Sequence, residues 1–454
     1  MAEPAGGPAP TGGSAGDSIT SNSSGGGGLL GYLNSMLPFF GAGRVAAAPA
    51  ATSSLLSEAT LAAERAILSL VGVPVVARDV PVGPTERHTM RTYEVGATAT
   101  PPTPANVDAD DSSAAPPPVV LLPGYGAGAG LFFRNMSPLA RLGLPILAAD
   151  WVGTGLSGRP PFPLKATKPD GSTTRVAAER FFLDGLDAWL EAEGVSARRP
   201  AVLVGHSLGG YLAATYALER PEMVRHLVLV SPAGLPEQPA GWREGLHKRV
   251  AESSGRLSLR PYVVRWAERA WDAGTTHGGI LRGLGAWAGG RLMRRYASGR
   301  FGAAGGEALA PREAEVVGDY LFALTALEGS GEHALRHLLD FGAWAHAPLG
   351  KRLEALSARV PVSFVYGRQD WMKFEHAVAV GARLDAVRAP TAEQDHRVIV
   401  LESAGHFPFL EAPAAFDAAL ESVLRQYCNK VPAAAAAAAG GGGGKGVAAG
   451  ARAG

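Results

Sequence analysis

Cysteine is all but missing from this chain: Cys428 is the only one in 454 residues. No intramolecular disulfide and no cysteine-based metal cluster can form, and a reducing compartment is the simplest setting. Long apolar runs are missing as well. No stretch of about 18 consecutive apolar residues occurs, so no membrane-spanning helix is expected. The opening MAEPAGGPAP has neither a basic n-region nor an apolar h-region, and nothing basic precedes Arg44. Neither a secretory signal nor an Arg-rich transit peptide is expected. A formal net charge of +1 argues against a protein built to grip nucleic acid across its whole surface.

Glycine, by contrast, is plentiful but unevenly spread. Of the 60 glycines, 20 fall within residues 1–50 and 440–454, leaving an ordinary frequency elsewhere. With 46% hydrophobic and 18% charged residues over its whole length, the chain is too apolar to be disordered throughout, and its middle is long enough for a large α/β domain. Residues 1–28, 101–118 (PPTPANVDADDSSAAPPP) and the Ala/Gly tail from about 433 read as unstructured.

Short apolar runs recur at Val119–Leu122, Ile146–Ala149, Val202–Val204, Leu227–Val230, Val362–Val365 and Val398–Leu401. Continuous rather than alternating runs suit strands buried on both faces of a parallel sheet. Helical patterns such as Arg180–Glu193 and Leu208–Glu219 fill the gaps, which implies right-handed crossovers and a doubly wound, mostly parallel α/β sheet. The starts of the runs at Leu227 and Val362 lie 135 residues apart, whereas a βαβ unit needs only about 30. The excess reads as an inserted helical cap over the carboxyl ends of the strands, where ligands bind in such sheets. The expected organisation is a flexible region over 1–70 with an apolar segment at 29–40, a core of 71–234 and 356–430, a cap at 235–355, and a tail at 431–454.

Gly205-His206-Ser207-Leu208-Gly209 follows one of these strands and opens a helix, the context required of a G-x-S-x-G nucleophile elbow. Gly205 and Gly209 let strand and helix backbones pass, and the helix N-terminus aims amides at a developing oxyanion. In this fold the partners follow in the order Ser, Asp, His at the ends of later strands. Asp370 in YGRQDW and His406 in ESAGHF stand at such places, with Asp150 and Asp340 also near predicted element ends. His406 would take the proton from Ser207, and Asp370 would hold the imidazole tautomer. The amides of Leu208 and of Tyr125, in LLPGYG, are the expected oxyanion donors. This chemistry calls for no metal and no organic cofactor.

LLPGYGAGAGLFFRN, AADWVGTGLSGRPPF, VLVGHSLGGYLAATYALERPEMVRHLVLVSPAGLPEQP, PVSFVYGRQDWM and SAGHFPFLEAP together resemble α/β-hydrolases of the abhydrolase domain-containing four/five family and its plant and algal counterparts. GLPEQP, RLMRRYASGRF and FGAWAHAPL are more specific to that family than the elbow is, and the likeness runs from about residue 29 to 428. It implies a hydrolase or lysophosphatidic acid acyltransferase acting on glycerolipids or phospholipids. It also implies a protein held peripherally on lipid droplets or membranes; with the lone cysteine, the opening residues and the net charge above, the expectation is a cytoplasmic protein with no nucleic-acid partner. Droplet coactivators of this family lack the serine, whereas Ser207 is present here. Pro123 stands where the family usually has His, and the family's acyltransferase motif, His-x4-Asp, reads His406 to Glu411.

Two stretches suit a lipid surface. Leu33, Leu37, Phe39 and Phe40 belong to the chargeless apolar segment 29–40, which is too short to span a bilayer and must bury against a lipid or this protein's own domain. Residues 243–300 hold twelve Lys or Arg against four acids, and together with the adjoining Trp242 they hold four of the eight tryptophans. There, Val263, Trp266, Ala267 and Ala270 are expected on one helical face, with Arg265, Glu268 and Arg269 turned away. The alternative is a solvated basic face over a Trp-filled core.

Overall fold

A computed structural model describes residues 56–96, 116–254, 258–302, 307–387 and 396–428. The apolar segment 29–40, the insertion 101–118 and the Ala/Gly tail lie outside the described residues, apart from 116–118 of the insertion. Part of the region expected to be flexible is helical. Helix α1 (Glu58–Leu68) starts at Ser57, whose Oγ accepts from the Thr60 amide at 3.2 Å, and it buries Glu64 and Ile67. The tie is electrostatic as well as apolar, because the Glu64 carboxylate receives Arg91 at 2.7 and 2.6 Å and the Tyr93 hydroxyl at 2.9 Å.

Eight strands form one sheet: β1 (Val75–Pro81), β2 (Thr89–Val95), β3 (Val119–Leu122), β4 (Ile146–Ala149), β5 (Ala201–His206), β6 (Val224–Val230), β9 (Val362–Gly367) and β10 (His396–Leu401). Their order is β1-β2-β4-β3-β5-β6-β9-β10, antiparallel from β1 to β4 and parallel from β4 onward. The pleat explains why the runs in the central strands are apolar on both faces. Val120, Leu122 and Leu203 point into one core with Leu186, Trp189 and Leu212, while Val119, Leu121, Val202 and Val204 point into the other with Phe132, Phe416 and Leu420. Helices α3 (Thr173–Ala192) and α4 (Leu208–Glu219) contribute to the first core; α2 (Phe133–Ala140) and α13 (Pro413–Cys428) contribute to the second.

The insertion after β6 is largely helical: α5 (Trp242–Glu252), α6 (Arg260–Asp272), α7 (His277–Phe301) and α8 (Pro311–Ala326), with α9 (Leu335–Leu338), a two-residue hairpin β7 (Leu339–Asp340) and β8 (Trp344–Ala345), and α10 (Leu349–Arg352) leading back to the sheet. It divides by packing. Trp242, Leu246 and Val250 of α5 form a small separate core with Val264, Ala267 and Phe341. Met293, Ala297 and Phe301 of α7, and Val317, Tyr320 and Leu321 of α8, instead join the main core beside α1 and α2. Among the described residues no helix is long and apolar enough to cross a membrane. Helix α11 (Glu375–Val387) and the single turn α12 (Pro408–Glu411) complete the chain between and after β9 and β10.

Candidate active site

Three loops at the carboxyl ends of β5, β9 and β10 meet above the sheet. Ser207 sits between β5 and α4 with φ 52° and ψ −118°, a left-handed backbone that costs about 1–3 kcal/mol for a non-glycine residue. Backbone bonds hold it there: its amide donates to Val230 O at 2.9 Å, and its carbonyl accepts from Tyr211 at 3.1 Å and Ala233 at 3.0 Å. The turn is possible only because the crossing backbones touch. A Cβ on Gly205 would lie 2.5 Å from Gly209 O, and one on Gly209 would lie 2.4 Å from Pro123 O.

Ser207, His406 and Asp370, singled out above by the elbow motif and by their places at strand ends, stand in series. His406 Nε2 is 3.1 Å from Ser207 Oγ, and His406 Nδ1 is 3.1 and 3.3 Å from the two oxygens of Asp370. With Nδ1–H donating to the carboxylate, Nε2 is left as the acceptor for the serine hydroxyl. Asp370 is buried and takes a further bond from the Met372 amide at 3.0 Å, which fixes its orientation. Trp371 and Phe407 flank the imidazole at 5.3 and 5.4 Å between ring centroids.

The two other aspartates near element ends are engaged elsewhere. Asp150 accepts from the amides of Ala129 at 2.6 Å and Leu156 at 2.7 Å, and burial pushes its carboxyl up to about 6 against the pull of those two amides. Asp340 binds Arg243 and, at 3.0 Å, Gln238 at the base of the cap.

The loop after β3 closes over the elbow. Gly124 comes so near that a Cβ there would be 2.9 Å from Ser207 Cβ, and Trp151 Nε1 donates to Pro123 O at 3.0 Å. Tyr125 follows directly, half-buried beside His277 of α7 at 5.8 Å. Leu208 opens α4, so its amide belongs to the first turn, where no intrahelical acceptor exists. Behind the elbow, burial and then the nearness of His406 hold His206 well below its ordinary 6.5, so its ring is neutral. Its Nε2–H donates to the carbonyl of His406 at 2.8 Å.

On the cap the structure corrects the expected helical phase. The inward face of α6 carries Val264, Ala267 and partly buried Trp271, because it docks on Trp242, Leu246 and Val250. Ala267 therefore belongs to the core, Glu268 is tucked against Arg243 and His247, and the outward stripe is Leu259, Tyr262 and Trp266. Arg265 and Arg269 lie exposed along it. Part of the cap's basic excess is neutralised internally, since Arg243, Arg282, Arg294 and Arg300 each pair with acids. Arg249, Arg260, Arg265, Arg269, Arg291 and Arg295 have no acidic partner among the described residues.

A family described as alpha/beta hydrolase fold matches residues 117–265. A rice (Oryza sativa subsp. japonica) protein named "Probable 1-acylglycerol-3-phosphate O-acyltransferase" is 34% identical over 371 residues, 81% of each chain. This chain belongs to the α/β-hydrolases of the abhydrolase domain-containing four/five family. The "(Lyso)-N-acylphosphatidylethanolamine lipase" of Mus musculus is 30% identical over 326 residues, which are 69% of this chain and 80% of the mouse protein. Among solved structures, a bacterial membrane phospholipase A superposes with a TM-score of 0.51 at 19% identity, covering 82% of this chain and 92% of that one. The last likeness concerns the fold alone.

Proposed function

We propose that this chain is a serine hydrolase that cleaves acyl esters of glycerolipids or phospholipids through an acyl-enzyme on Ser207. The hydrogen-bonded series Ser207, His406, Asp370 carries the reading. Ser207 Oγ attacks the ester carbonyl carbon as His406 Nε2 takes its proton, and the carbonyl oxygen becomes an oxyanion before the Leu208 and Tyr125 amides. Collapse breaks the bond to the alcohol, which leaves with the proton from His406. Water, deprotonated by the same nitrogen, then attacks the acyl-serine and releases the fatty acid. The lipid names of the two relatives support the substrate class.

An acyltransferase differs only in the acceptor: the hydroxyl of a lysophospholipid replaces water in the second half-reaction. The rice relative's name favours keeping this second reading. Incubation with acyl-labelled phosphatidylcholine, phosphatidic acid or triacylglycerol, with and without lysophosphatidic acid, separates the two. Free labelled fatty acid in both conditions is the expected result. Label appearing on the added lysophosphatidic acid, in place of free fatty acid, instead assigns the transferase, and no turnover of any lipid leaves a docking role at lipid droplets.

Association with a lipid surface is part of the same proposal. Tyr262, Leu259 and Trp266 are 71%, 72% and 39% exposed and follow an i, i+3, i+7 spacing from the residue that caps α6 onto the helix, with Arg265 and Arg269 along the stripe. A double substitution, Tyr262→Ser with Trp266→Ser, is expected to weaken binding to phosphatidic acid vesicles by about 10-fold or more through lost apolar burial, and a second, Arg265→Glu with Arg269→Glu, by about 30-fold or more, since each basic residue near an anionic surface is worth about 1 kcal/mol. Binding that ignores both changes and ignores salt removes α6 from the interface. For the segment 29–40, deletion of residues 1–44 is expected to lower droplet recovery with soluble-ester turnover unchanged; a fall in thermal stability instead assigns it to the fold.

A further inference from the structure

The loop that carries His406 is held by groups that the proposed reaction does not use. Gly405 N donates to Glu411 Oε2 at 2.6 Å, and Phe407 N donates to Glu411 Oε1 at 3.2 Å. One buried carboxylate thus grips the amides on both sides of His406, while His206 takes the carbonyl of His406 itself. Only a carboxylate satisfies both amides from one short side chain, because each of its oxygens accepts and neither donates. The pocket is shaped for it: a Cβ on Gly405 would come within 2.9 Å of Glu411 Oε2.

A buried carboxylate needs a countercharge, and the cap supplies it. Arg300, in the last turn of α7, places Nη2 2.6 Å from Glu411 Oε1. Its guanidinium also lies 5.6 Å from the centre of the Phe407 ring and 5.5 Å from that of Phe301. The backbone is stitched at the same point. Glu307 N, beyond the end of α7, donates to Glu411 O at 2.8 Å, and Arg134 of α2 reaches the carbonyls of Glu307 at 2.7 Å and Leu410 at 3.3 Å. Cap and histidine loop therefore share a single set of bonds.

We infer that Glu411 is a positioning residue for His406, and that Arg300 makes its grip depend on the seating of the cap. The inference rests on the hydrolase reading above. It gives the acidic residue of the His-x4-Glu spacing a role in alignment, since both of its oxygens are engaged by loop amides and one also by Arg300.

The test compares wild type, Glu411→Gln, Glu411→Ala, Arg300→Met and Arg300→Lys in the full chain. Labelling of Ser207 by a fluorophosphonate, kcat and KM on a p-nitrophenyl ester, hydrogen exchange of the segment 402–410, and the thermal midpoint are measured together. Glu411→Gln keeps the shape but offers one acceptor where two are needed. It is expected to lower kcat and labelling rate roughly 10- to 100-fold with KM within about twofold, as a misplacement on the order of 1 Å would. Exchange of 402–410 should accelerate in step. Arg300→Met should act in the same direction and Arg300→Lys should recover most of the loss. If Glu411→Ala does not fold, the Gln and Met variants decide. Wild-type labelling in Glu411→Gln, a kcat loss no larger than the loss of folded protein, or unchanged exchange overturns the inference while leaving the hydrolase reading intact. Failure of the wild type to label overturns both.

Discussion

Ser207→Ala is expected to abolish both ester hydrolysis and fluorophosphonate labelling, a loss of at least about 10³-fold, with the fold left intact. The two halves of this expectation have separate physical grounds. Alanine retains Cβ, so the left-handed backbone at φ 52° is no more strained than before, and the backbone bonds to Val230, Tyr211 and Ala233 do not involve the hydroxyl. The side-chain bond lost is the one to His406 at 3.1 Å. The thermal midpoint should therefore move by only a few degrees. His406→Ala should match the kinetic loss, because without Nε2 no group in the series can take the serine proton. Asp370→Asn should cost less, since it disturbs the tautomer and leaves nucleophile and base in place. Retention of more than about a tenth of wild-type turnover by Ser207→Ala removes that residue from the nucleophile's role.

The central strands were legible because burial on both faces leaves an unbroken apolar run. β3 and β4 begin and end where the runs Val119–Leu122 and Ile146–Ala149 do. β1 and β2 escape that criterion. They carry Arg78, Asp79, Arg91 and Glu94, pair antiparallel at the edge of the sheet, and interrupt every apolar run with a charge. β5 runs on past Val204 through Gly205 and His206, neither of which counts as apolar, although both are fully enclosed in the sheet. The phase of α6 failed for a related reason. Val263, Val264, Trp266, Ala267, Ala270 and Trp271 surround most of the helix, so periodicity cannot choose a face until Trp242 and Leu246 are known to dock on it. The candidate site divides in the same way. Ser207, Asp370 and His406 could be read from strand ends, whereas the bond from His206 to the His406 carbonyl joins residues 200 apart in sequence and exists only once β5 and β10 share a sheet.

Gly209→Ala is expected to lower kcat at least about 10²-fold and stability by about 1–3 kcal/mol, although it adds one methyl group in a helix where alanine is ordinarily preferred. The added Cβ would meet Pro123 O at 2.4 Å, Leu122 O at 2.7 Å and Pro123 C at 3.0 Å. All three are backbone atoms, so no side chain can rotate aside. Nor can the β3 end retreat freely, because Leu122 is in register with Gly205 across β3 and β5 and Trp151 Nε1 holds Pro123 O at 3.0 Å. Relief requires α4 to move away from the loop, which separates the Leu208 amide from that of Tyr125. The oxyanion would then face one donor instead of two, a loss of the size seen when a single donor is removed. Gly299→Ala supplies the control. It lies in α7 with nothing within 4 Å of the added Cβ, so helix propensity alone should act, with stability unchanged or slightly higher. If Gly209→Ala turns over an ester at the wild-type rate, the close passage of α4 over Pro123 is not what aligns the two amides, and the Tyr125 assignment falls with it.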